Sequence, residues 1–142
     1  MTDIQAAIGR EQLKRLPAIV ERRRALAAMY ADYLHGIPGV VPASEPSWAR
    51  SNWQSYTVRL EPPLDQRRVM QRMLDEGIST RRGVMNAHRE PAYPAGTWRA
   101  PAPLSRGEHA QDTVIVLPLY HQMADDDQQR VVAALRRAVT LV

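Results

Sequence analysis

Proline placement is the feature that most constrains this chain. Of its 11 prolines, only Pro17 falls before residue 38, and the others recur from Pro38 to Pro118. Proline fixes φ and lacks a backbone donor, so it shortens any helix or central strand it would otherwise enter. Short elements on rigid connections are therefore expected through the middle of the chain. A length of 142 residues suits one domain with a real core and is too short for two ordinary ones.

Residues 3 to 16 carry Ile4, Ala7, Ile8, Leu13 and Leu16 at helical spacing, with Thr2 or Asp3 as N-cap. Gly9 inside that run implies a close neighbour. Pro17 should end or kink the helix and begin a second one to about Leu34, stopped by His35-Gly36. The run Glu21-Arg22-Arg23-Arg24 reads as its solvated face. Residues 38 to 51 read as an ordered loop. Tyr56, Val58 and Leu60 alternate with polar residues in a strand from Trp53 to Leu60, and Asp65 caps a helix carrying Val69, Met70, Met73 and Leu74, closed by Gly77.

A second strand begins at Ile78-Ser79-Thr80, and residues 91 to 104 stay irregular. Ser105 with Glu108 forms a capping box for a short helix, and Thr113-Val114-Ile115-Val116-Leu117 reads as a strand buried on both faces. Asp125, Asp126 and Asp127 then cap a helix with Val131, Val132, Leu135 and Val139 on one side. The order α-α-β-α-β-α-β-α predicts an α+β (α/β layer) fold, a small three-stranded sheet covered by helices.

The stretch from Gly77 to Tyr93 is the chemical centre of this order. Arg81, Arg82 and Arg89 bring guanidinium forks close in sequence to the His88 imidazole, which is what a phosphate or carboxylate site requires. The same residues also suit a solvated basic loop. In a strand, adjacent side chains face opposite ways, so one of Arg81 and Arg82 should meet a ligand. Arg82 is chosen because Gly83 lets the backbone turn toward a pocket.

Other chemistries are excluded or disfavoured. The chain has no Cys, so disulfides, thiolate metal sites and cysteine nucleophiles are absent. The four His, at 35, 88, 109 and 121, lack metal spacing. There is no glycine-rich phosphate loop, no Gly-x-Ser-x-Gly elbow and no nucleic-acid-reading motif, and the net charge of +4 comes from interspersed charges. No catalytic, cofactor-binding or metal residue is assigned. No apolar run is long enough to span a bilayer, so a cytoplasmic setting is expected.

Met1-Thr2-Asp3-Ile4-Gln5-Ala6-Ala7-Ile8-Gly9, Trp53-Gln54-Ser55-Tyr56, Gly77 through Gly83, Ala87 through Tyr93 and Leu117-Pro118-Leu119-Tyr120 together resemble the C-terminal segment of the DegT/DnrJ/StrS sugar aminotransferases. The resemblance runs through the whole chain in that family's order. It implies a single small domain over 1–142, with entry helices at 1–35 and a sheet-and-helix body at 36–142. The family's pyridoxal phosphate (PLP) lysine would lie in a large domain that this chain lacks. It further implies a keto-sugar nucleotide substrate contacted by Arg82, His88 and Tyr93, a homo-oligomer, and no cofactor on this chain alone. Lys14, the only lysine, sits between Leu13 and Leu16 beside Arg15 and reads as a solvated helix residue rather than a Schiff-base amine. A stand-alone binding module with the same fold is the alternative.

Overall fold

A computed structural model describes residues 1–140. Its elements are α1 (Asp3–Leu34), β1 (Val40–Pro42), β2 (Tyr56–Leu60), α2 (Gln66–Asp75), β3 (Arg81–Arg82), α3 (Ser105–Thr113), β4 (Val114–Leu117) and α4 (Asp125–Thr140), with a 3₁₀ turn at Ala87–Arg89. The α+β architecture is as expected, but several elements and boundaries differ.

Residues 3 to 34 form one helix with Pro17 inside it, not two helices. Proline there frees the carbonyl four residues back, at Leu13, and residues 11–18 are all exposed, so water can satisfy it. The Thr2–Gln5 capping box holds the start. Gly9 has nothing among the described residues within 4 Å of where a Cβ would stand, so no part of this chain supplies the close neighbour expected there.

The sheet has four strands, ordered β1-β2-β4-β3, and every pairing is antiparallel. The extra strand, β1, lies within the expected loop. It is an edge strand, the position where Pro42 can pair without needing an N–H on its outer side.

Tyr56, Val58 and Leu60 are buried; Tyr56 pairs with Leu117 and Val58 with Ile115 of β4, while Leu60 pairs with Val40 of β1. Val114 and Val116 are only half-buried. So β4 has one covered face rather than the two expected, because an antiparallel sheet can leave its other face open.

The core lies between the covered face and three helices. α1 contributes Leu26, Ala27, Tyr30 and Leu34, α2 Val69 and Met73, and α4 Val131, Ala134, Leu135 and Ala138. As expected, Asp65 caps α2 by accepting from Arg68 N at 2.8 Å, and Gly77 closes it at φ +77°.

Arg22, Arg23 and Arg24 are half-buried, which corrects their reading as a solvated face. Arg22 donates to the Met123 carbonyl at 2.8 Å and Arg24 to that of Ser51 at 2.8 Å. The Arg23 Nη1 donates to the carbonyls of Trp53 (2.9 Å), Gln54 (3.0 Å) and Leu119 (3.3 Å). One guanidinium thus joins the approach to β2 to the turn after β4, two segments far apart in sequence that flank the same end of the sheet.

Candidate functional site

The expected strand at Ile78–Thr80 begins three residues late. Only Arg81 and Arg82 pair, as the edge strand β3, with Arg81 opposite Val116 and Arg82 opposite Ile115. Because Ile115 is buried and Val116 half-exposed, the register puts Arg82 on the helix-covered side and Arg81 on the open side. Among the described residues neither guanidinium group makes a hydrogen bond or salt bridge, and both residues are exposed.

Two depressions meet at this edge. One, of about 580 Å³, is lined by Gln54, Ser55, Met70, Arg81, Arg82, Gly83, Val84, Met85 and Val116. The other, of about 290 Å³, lies toward α2 and is lined by Arg67, Met70, Gln71, Leu74, Ser79, Thr80 and Arg82. Gln54 and Ser55 reach the larger cleft through a tight turn in which Trp53 adopts φ +50°. Ser51 Oγ and Asn52 Oδ1 accept from the Trp53 and Gln54 amides there. A non-glycine residue in the left-handed region carries no sequence signal, so these two residues were not anticipated as part of the site.

Gly83 does not serve as the turn expected of it. Its amide donates to the Val114 carbonyl at 2.8 Å, and a Cβ there would stand 3.2 Å from Val114 Cβ and 3.3 Å from the Ala110 carbonyl oxygen. It is a close-approach glycine that seats the chain against α3 and β4.

The loop beyond is held by α3. Gln66 donates through Nε2 to the carbonyls of Gln111 (2.9 Å) and Val114 (2.7 Å), and Gln111 Oε1 accepts from the Asn86 amide at 2.9 Å. His88 Nε2 lies 2.9 Å from Glu108 Oε1, and its ring lies 5.0 Å from that of Trp98. Glu108 is thereby drawn away from the expected capping box. α3 starts at Ser105 after Leu104, which makes no side-chain cap. Arg89 bonds Asp112 at 2.7 Å, and this hydrogen bond holds the Asp112 carboxyl below the usual carboxylate range.

Of the three predicted contacts, Arg82 lines both depressions, whereas neither is lined by His88 or Tyr93. Tyr93 is 51% exposed, and only its backbone amide is bonded, to the Glu90 carbonyl at 2.9 Å. Among the described residues no three His, Asp or Glu side chains gather in a way that could hold a metal ion. Nor is any helix among them long and apolar enough to cross a membrane.

The family model of the DegT/DnrJ/EryC1/StrS aminotransferases matches residues 1–136. A dTDP-4-dehydro-2,3,6-trideoxy-D-glucose 4-aminotransferase from Saccharopolyspora spinosa is 36% identical over 132 residues, covering 92% of this chain and 32% of the relative. The aminotransferase TlmJ of Streptoalloteichus hindustanus superposes with TM-score 0.87 at 27% identity, over 99% of this chain and 37% of its own. DesV of S. venezuelae, solved with a ketimine intermediate, gives TM-score 0.83 at 30% identity, over 94% and 35%. The chain thus spans about a third of the length of these relatives.

Proposed function

The chain belongs to the DegT/DnrJ/EryC1/StrS aminotransferase family, and from that premise we propose that it is the small domain of an enzyme that moves an amino group from an amino acid to a keto-sugar nucleotide. The observation that carries this is coverage. Residues 1–136 follow the family in order while accounting for about a third of its relatives' length.

Family enzymes depend on PLP, and the residues present here do not fit that cofactor. The one lysine, Lys14, stands on the exposed first half of α1 and donates to Glu11 Oε1 at 2.6 Å, with both side chains largely solvated. A Schiff-base amine needs a sheltered pocket and a partner for the pyridine nitrogen. On this reading the large domain supplies that chemistry, and the isolated chain is inactive.

We place Arg82, His88 and Tyr93 as substrate contacts on the stretch leading from β3. Support comes from the free guanidinium at the rim of two depressions and from a histidine oriented by Glu108 and Trp98. The rival for the charged contact is Arg81, which lines the larger cleft from the open side. Kinetics of Arg81→Ala and Arg82→Ala in the full-length enzyme test the assignment. Loss of a charge-assisted contact worth about 1.5–3 kcal/mol should raise the Michaelis constant for the keto-sugar nucleotide roughly ten- to a hundredfold for Arg82, and much less for Arg81. Equal small effects would make β3 a scaffold.

A further inference from the structure

The smaller depression has a chemistry of its own. Arg67, at the start of α2, and Arg82, on β3, line it from two elements that the fold brings together, and among the described residues neither makes a hydrogen bond or salt bridge. Thr80 lines the same wall, but its Oγ1 lies beneath the surface, out of reach of solvent. Ser79 is beside it, and Met70 and Leu74 supply an apolar floor.

Two free guanidinium forks around one hollow form a donor set that a phosphate accepts from, since phosphate oxygens match the fork geometry of arginine. We propose that this depression is an anion site for a phosphate group, formed by Arg67 and Arg82 on the α2 side of the cleft that Arg81 lines.

The opposing charges nearby are already engaged. Asp75 accepts from Gln71 Nε2 at 2.8 Å, Asp65 caps α2, and Asp112, whose field reaches Arg82, is held by Arg89. The volume of about 290 Å³ sits at the lower edge of the roughly 300–1,000 Å³ typical of small-molecule sites. It therefore has room for a phosphate or a diphosphate, and because its two guanidinium forks match phosphate oxygens, a free phosphate and the phosphates of a nucleotide should bind alike.

The site shares Arg82 with the substrate reading but does not rest on it, because Arg67 has no place in that reading. The test is equilibrium titration of the 142-residue chain with inorganic pyrophosphate and, separately, with a nucleoside diphosphate, at low salt. Both should bind with dissociation constants within a few-fold of each other. Arg67→Ala and Arg82→Ala should each weaken both about ten- to a hundredfold, while Arg106→Ala, which removes one charge from α3, leaves them unchanged. The site is overturned if neither ligand binds, if only the nucleoside diphosphate binds, or if Arg67→Ala weakens binding no more than Arg106→Ala. Arg67 is exposed, so its replacement leaves the core intact. Failure here would leave the kinetic comparison of Arg81 with Arg82 unaffected.

Discussion

The Tyr30 hydroxyl, at the inner end of α1, donates to the carbonyl of Pro118 at 2.7 Å, while its ring stacks on Tyr56 at 4.8 Å. This bond, with the Arg23 fork on Leu119, fastens the turn after β4 to the helix that enters the domain. The Tyr56 hydroxyl, by contrast, is buried without a partner.

These two tyrosines should therefore respond oppositely to loss of the hydroxyl. Tyr30→Phe leaves the half-buried Pro118 carbonyl without this donor and should lower unfolding free energy by about 1–3 kcal/mol, whereas Tyr56→Phe removes an unpaired polar atom and should be neutral or slightly stabilising. Urea denaturation of both variants checks this. Equal losses at the two positions would refute the distinction.

The same pair predicts an alkaline limit. Burial pushes the Tyr56 phenol up to about 12, and burial followed by the neighbouring Tyr56 raises Tyr30 further. Above pH of about 10, where unfolded tyrosines lose their protons, the folded chain keeps more protons than the unfolded one, so stability falls with rising pH. Stability contributed by the two phenols is complete below pH of about 10 and is lost as pH rises through about 12. Denaturation midpoints from pH 9 upward should decline, and Tyr56→Phe should flatten the decline. An unchanged slope in that variant would exclude Tyr56 as a cause.

The outer half of α1 leaves Ile4 (74%), Ile8 (57%), Leu13 (65%) and Leu16 (47%) exposed, and its first buried residue is Leu26. Apolar surface of this kind drives association. The isolated chain should sediment as a dimer or larger, and replacing Ile4, Ile8, Leu13 and Leu16 by Ser should return it to monomer. A wild-type monomer at high concentration would rule this surface out.

The isolated chain should also fail to retain PLP through dialysis and show no transaminase turnover. An internal-aldimine absorbance band that persists, and that Lys14→Ala abolishes, would contradict the assignment of Lys14 to the solvated helix surface.

Local physics made much of this protein legible in its sequence. The Thr2 and Asp65 caps, the left-handed Gly77, the period-two burial of Tyr56, Val58 and Leu60, and the apolar face of α4 each depend on residues near one another in the chain. So does the opposition of Arg81 and Arg82, which follows from strand alternation once β3 is paired. What tertiary structure decided depends on groups distant in sequence. Pro17 stays in a helix because its surroundings are solvent, and Gly83 is small because Val114 and Ala110 lie against it. Arg23 is half-buried because three carbonyls from two segments converge on it, and Glu108 turns to His88 rather than to a cap. Arg67 and Arg82 share a hollow only because α2 packs beside the sheet edge. Spacing along a chain predicts which side of its own element a residue takes. The partner waiting there is set by how the elements pack.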